Sequence, residues 1–417
     1  MNIIGKLVIA GIFIALVIGG GFIVLKKGGG GEGGLSDWEQ CVRNSRSHIL
    51  QTSPRQCVLP DGRRTIEPRV MTPPSRSPVD TPPAPVPEPQ PAPPPPTSAL
   101  RGIDALRTPT LKSIIDALYH GGQIAADGAV EANQKEFEAV AHQRGGTGVI
   151  LRGIANRDTA LIEKGVKALE YGFQFQEPAG NFKNNLGLSA KEAISSDAFF
   201  MAVVGDVALL IRDSEYASEF LPRFNALKPK IEKAVSWLAQ TENQAELKRQ
   251  DGQTPNRLIF DALAYSLNGT YLGRKDFERI GDDFVNTALA VQRSDGVIPE
   301  KGGHDSSYQA VSILNLATYW FWTGNSSMKL KIYNAMEKAA AWEKTRVNPT
   351  SGVISEEGNT RTGSGCKEVG PSGKCKDINY PEVSLAFAFW AAIGNDSESG
   401  VLATKILDYM RSSGRLQ

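Results

Sequence analysis

Four segments of this chain are apolar on every side of a helix. They are DAFFMAVVGDVALLI from Asp197, LIFDALAYSLNGTYLG from Leu258, YQAVSILNLATYWFW from Tyr308 and VSLAFAFWAAIG from Val383. A helix of that kind must be covered all round, whereas a helix with one apolar stripe can face water. Striped, charge-rich segments lie between them: KIEKAVSWLAQTENQAELKRQ from Lys230, RKDFERIGDDFVNTALAVQR from Arg274 and KLKIYNAMEKAAAWEKTR from Lys329. The two kinds alternate, which buried helices wrapped by amphipathic ones would satisfy. Apolar spacings of three and four predict helices over 110–119, 132–156, 158–175, 189–212, 218–241, 255–272, 274–293, 306–322, 326–346, 381–393 and 400–411. Few stretches alternate with period two, so the expected fold class is all-α.

The connections repeat as well. SDGVIPEKGG at 294–303 and TSGVISEEGN at 350–359 align without gaps on Gly-Val-Ile, a following Glu and a later Gly; EPAGNFKNN at 177–185 and QDGQTPNR at 250–257 are looser versions. A recurrence every 50 to 70 residues is the mark of a repeat architecture. Over roughly residues 110–412 the pattern resembles the (α/α) toroid of polysaccharide lyases and several glycoside hydrolase families. That resemblance implies a toroid at 98–417, a glycan as partner, and a site in the loops that enter the inner helices.

The N-terminal hundred residues differ in kind. Leu7 to Leu25 is a run of 19 uncharged, mostly apolar residues after a six-residue tail. As a helix it would reach about 28 Å, close to the hydrocarbon thickness of a bilayer. Gly19-Gly20-Gly21 could serve signal cleavage, but Phe22 to Leu25 extends the apolar run beyond it, which favours a retained single-pass anchor. A linker at 26–97 follows. Its Pro-rich end, with 13 of the 25 prolines between Pro73 and Pro96, suits a polyproline stalk of about 80 Å. Lys26, Lys27, Arg43 and Arg46 pull the following chain toward the cytoplasm under the positive-inside rule. The cysteines point the other way. Cys41 with Cys57, and Cys366 with Cys375, form two local pairs without zinc-ligand companions. They read as disulfides, with Cys41–Cys57 pinning a small segment, in an oxidising, extracytoplasmic compartment. Closing the loop GCKEVGPSGKC would add about 2–3 kcal/mol. No metal and no cofactor is expected. With 46 basic and 45 acidic residues the net charge is +1, which argues against a nucleic-acid partner bound through bulk charge.

Chemistry is expected in KGGHDSSYQ at 301–309. Tyr308 lies four residues after His304, a spacing that puts both on one helix face. Asp305 or Ser306 can cap the helix, and Asp305 and Gln309 are candidate substrate contacts. Further polar groups gather before other apolar helices: Asn181, Lys183, Asn184 and Asn185; Asn256 and Arg257; Asn379, Tyr380 and Glu382. A lyase acting on a uronic-acid glycan by β-elimination must neutralise the sugar carboxylate, which Asn or Arg donors suit, and needs a base and an acid. His304 and Tyr308 fill the catalytic roles, with Asn184, Asn185, Asn256, Arg257, Tyr380 and Glu382 as binding groups; the resemblance to toroid lyases points to the same residue types. A glycoside hydrolase would instead use two carboxyl groups, from Glu300, Asp305, Glu356 and Glu382. A toroid that binds a glycan without turnover is the third reading.

Overall fold

The computed structural model describes residues 100–119, 124–369 and 373–416, together with the backbone of three short strands. The expected anchor at 7–25, the Pro-rich stalk and Cys41 lie outside the described residues. The chain divides into two compact units, one of them Phe22–Pro93 and the other holding Pro94–Gln417. In the first, β1 (His48–Leu50), β2 (Gln56–Val58) and β3 (Arg64–Ile66) form an antiparallel meander, with His48 opposite Val58 and Gln56 opposite Ile66. Cys57 stands in β2.

The larger unit is helical: α1 (Gly102–Leu106), α2 (Pro109–Leu118), α3 (Gly146–Asn156), α4 (Thr159–Gly172), α5 (Ile194–Arg212), α6 (Ala217–Leu238), α7 (Thr241–Asp251), α8 (Pro255–Leu272), α9 (Lys275–Leu289), α10 (Ser306–Trp322), α11 (Ser326–Lys344), α12 (Tyr380–Gly394) and α13 (Ser397–Ser412). Local chemistry sets many of the ends. Asp158, Asp305, Asn325, Asn379 and Asp396 each accept a backbone N–H of the first turn that follows. Proline opens α2, α8 and α12, where its missing N–H costs nothing. The helix expected over 132–156 begins only at Gly146; before it Ala139 is extended (φ −157°, ψ 147°) and 3-10 turns cover Glu131–Gln134 and Val140–Gly145. The charged segment from Lys230 is split into α6 and α7 by the extended backbone of Gln240 (ψ 139°).

Burial follows the sequence pattern. In α5 all residues but Ser196, Asp206 and Arg212 are buried. Among the described residues it is the one helix long and apolar enough to cross a membrane, and 89% of its apolar stretch is buried inside the protein, which makes it a core helix. The amphipathic α9 buries Phe277, Gly281, Phe284, Val285, Ala288 and Leu289 along one stripe. Each apolar helix pairs with the helix after it: α3 with α4, α5 with α6, α8 with α9, α10 with α11 and α12 with α13. The first members also touch in succession, α3 to α5 to α8 to α10 to α12, and α2 contacts both α12 and α3. α1 sits against the C-terminal ends of α5 and α10: a Cβ placed on Gly102 would lie 3.6 Å from Leu210 and Trp322.

One turn recurs four times, at Gly128, Gly180, Gly296 and Gly352. In the first three, residue X donates its N–H to the carbonyl of X+4, and the glycine at X+3 donates to X, with X being Ala125, Glu177 and Arg293; the Gly352 turn is one residue longer, from Asn348 to Val353. Each glycine has positive φ and faces a lysine carbonyl of the second helix of a pair: Lys167, Lys233, Lys338 and Lys405 respectively. The turns at 294–303, 350–359 and 177–185 were legible in the sequence, and the Gly128 turn is an additional member. QDGQTPNR is not one, because Gly252 keeps φ −60° at the end of α7. A Cβ at Gly296 would collide with the Lys338 carbonyl, whereas one at Gly302, also at positive φ (80°), would meet nothing within 4 Å. Gly302→Ala should therefore cost only the left-handed backbone, about 1–2 kcal/mol. Gly296→Ala should cost clearly more, and equal denaturation midpoints for the two variants would contradict the turn geometry.

Candidate active site

The first turns of α5, α8 and α12 are each tied to a neighbouring helix. Ser195 Oγ of α5 donates to Asp251 Oδ2 at 2.9 Å, and Phe199 stacks on Phe260 of α8 with centroids 4.7 Å apart. Asn315 of α10 donates to the Asn256 carbonyl at 3.2 Å, and the N–H of Asn379, which caps α12, donates to Ser307 Oγ at 2.9 Å. The expected site residues separate here into three groups.

The first group fastens the repeats. Two residues after each turn glycine a backbone N–H is accepted by a side chain at a helix entry: Val130 by Gln143, Phe182 by Asp197, Ile298 by Gln309 and Ile354 by the Tyr380 hydroxyl. Gln309 also donates to the carbonyls of Gly296 (3.0 Å) and Ala339 (3.3 Å). Asn184 bonds Leu188, and the exposed Asn185 donates to the Phe137 carbonyl at 2.6 Å. Asp305, 1% exposed, caps α10 through the N–H groups of Ser307 (3.1 Å) and Tyr308 (3.4 Å). It also accepts from the N–H groups of Arg361 (2.8 Å) and Thr362 (2.9 Å) and from the Thr362 hydroxyl (2.8 Å).

His304 stands apart. It precedes the cap of α10, so helical spacing from Tyr308 does not apply to it. Its ring lies 5.4 Å from Trp342, and Nε2 is 3.2 Å from the Glu357 carbonyl oxygen.

The third group gathers charge around Tyr308. Lys376 Nζ donates to the Tyr308 hydroxyl at 3.1 Å, and the Arg361 guanidinium lies 4.8 Å from the centre of the Tyr308 ring. Arg361 pairs with Glu300 at 2.8 Å. Burial, with help from the Arg361 charge, lowers Lys376 to about 8. Burial also lifts the Tyr308 hydroxyl above its ordinary range, and lifts Glu300 to about 7 against the opposing pull of Arg361. Glu382 is held well above the usual carboxyl range by burial, against the Lys376 charge. Arg257 pairs with Asp251 at 2.9 Å and lies 5.3 Å from the Phe199 ring centre, where Arg144 also sits at 5.2 Å. Burial drives Asp261 well above the usual carboxyl range, with the Asp251 charge adding to it, and also raises Asp251 against the pull of Arg257. The Asn256 Oδ1 beside Arg257 is buried with no hydrogen-bond partner.

No family model, curated protein or solved structure matches the chain. The arrangement itself therefore has to carry the functional reading. Lys376 and Arg361 were not singled out from the sequence. The available signal was their position at the feet of the cysteine loop, since Lys376 directly follows Cys375.

Proposed function

We propose that residues 98–417 form an (α/α) toroid whose helix-entry end carries a lyase site for a uronic-acid polysaccharide. The toroid reading is supported by the succession of contacts α3, α5, α8, α10, α12, α2 and back to α3, with α4, α6, α9, α11 and α13 as outer partners. The lyase reading rests on one observation: the hydrogen bond between the Lys376 amine and the Tyr308 hydroxyl at 3.1 Å, in surroundings whose burial lowers the lysine to about 8 and raises the tyrosine. In β-elimination the uncharged Lys376 amine takes the proton alpha to the sugar carboxylate. The freed electron pair forms the ring double bond as the bond to the departing glycosidic oxygen breaks. Tyr308 gives that oxygen its proton, and the Lys376 ammonium, 3.1 Å away, returns one to the tyrosinate, restoring both groups. Arg257 and Arg361 are the guanidinium groups suited to the sugar carboxylate, whose charge grows in the transition state. The head belongs outside the cytoplasmic membrane, held by the apolar run at 7–25. The bond between Cys366 and Cys375, with Cα atoms 5.8 Å apart, fits such an oxidising compartment.

The test is incubation of the full-length protein with a panel of uronic-acid polysaccharides. Unsaturated products absorbing in the near ultraviolet are expected. New reducing ends without that absorbance would make the protein a hydrolase, and binding without either would make it a glycan-holding scaffold; each result would end the lyase reading.

A further inference from the structure

The two cations at Tyr308 come from the two feet of one disulfide-closed loop. At one foot the N–H groups of Arg361 and Thr362 and the Thr362 hydroxyl are all held by Asp305 at the start of α10. At the other, Lys376 is tied to the first foot by two backbone bonds, from Gly363 N to Lys376 O (2.8 Å) and from Lys376 N to Arg361 O (3.1 Å). The Cys366–Cys375 bond closes the loop immediately before Lys376. Lys301, in the connection between α9 and α10, forms an ion pair with Glu368, between the cysteines.

The first foot is thus anchored by a buried carboxylate. The second is anchored through the first, through the covalent bond alongside it and, three residues on, by Asn379, which caps α12 and donates its N–H to Ser307 Oγ. We propose that the Cys366–Cys375 disulfide is a redox-sensitive strap that positions Lys376 against the Tyr308 hydroxyl, so that thiol reduction disarms the site. Reduction by a dithiol converts the cystine to two thiols and the dithiol to its own disulfide, and restores chain freedom next to Lys376. The ammonium would then regain water and separate from the groups now facing it: Tyr308, Arg361, Glu300, Asp305, Arg257 and Glu382.

This inference builds on the proposed lyase site, but its main readout does not need turnover. The full-length protein is acetylated at a series of pH values, and modification of Lys376 is followed by peptide mass spectrometry. In the oxidised protein the half-point should fall near pH 8. In dithiothreitol, and in the Cys366→Ser/Cys375→Ser variant, it should rise by at least one pH unit, while a Cys41→Ser/Cys57→Ser control keeps the oxidised value. An unchanged half-point with the 366–375 bond demonstrably open would overturn the strap. If the half-point moves and neither redox form yields unsaturated products, the strap stands and the lyase reading fails. Where the lyase assay succeeds, reduction should lower turnover at pH 8 at least tenfold, with the helical signal retained.

Discussion

Tyr308→Phe should lower formation of unsaturated product by about 10²–10⁴-fold, the usual worth of a positioned acid or base. The ring is 3% exposed and its packing survives the change, so the helical signal should not move. The pH profile provides a sharper test of the pair. Lys376 acts only when uncharged and is lowered to about 8, so the rate should climb as pH rises through 8. Tyr308 is raised above its ordinary value and remains a donor over that range, so it imposes no fall there. Lys376→Arg keeps the positive charge beside the hydroxyl but cannot shed it. The climb should vanish and the residual rate should be low and flat. Initial rates between pH 6 and 10 for the two proteins decide the matter: a Lys376→Arg enzyme with the parent's profile would remove Lys376 from the chemistry. His304→Ala in the same assay should cost less than tenfold, because its ring is engaged with Trp342 and the Glu357 carbonyl.

Asp305→Ala should destabilise the protein by about 3–5 kcal/mol, a large share of an ordinary domain's stability. The carboxylate accepts from two N–H groups at the start of α10, two N–H groups of the 361–362 backbone and one hydroxyl. Alanine leaves buried donors without an acceptor at about 1–3 kcal/mol each, some of which relaxation recovers, and also removes a helix cap. Asp305→Asn retains one carbonyl oxygen and should lose roughly half as much. Denaturant unfolding monitored by circular dichroism measures both. If Asp305 were instead a substrate contact, the variants would unfold like the parent and lose only glycan affinity. The consequence for function is indirect: freeing Arg361 and Thr362 loosens the anchored foot of the cysteine loop, and Lys376 with it.

The alternation of all-round apolar and striped segments determined the helical class and the choice of buried helices, because the polarity of a helix face is written in the order of its own residues. The turns at Gly296 and Gly352 were legible for the same local reason: a backbone at positive φ under a neighbouring carbonyl admits glycine and little else. The expected helix at 218–241 ends close to the observed end of α6 at Leu238, but α7 was not legible as a helix of its own, since Thr241–Asp251 carries almost no apolar stripe.

The roles of the polar residues were decided elsewhere. Gln309, Tyr380 and Asp305 stand at helix entries, where the sequence reading placed substrate contacts, yet the structure occupies them with backbone groups of the preceding turns or of the 361–362 segment. Tyr308 was recognisable as a buried hydroxyl near a helix start. Its partner was not, because Lys376 lies 68 residues away in the chain and reaches the hydroxyl only through a loop closed by a disulfide and pinned by a buried carboxylate. Periodicity and turn chemistry act within a few residues and can be read from order alone. Which cation meets which hydroxyl depends on the packing of α10 against that distant loop, and only the folded chain brings the two together.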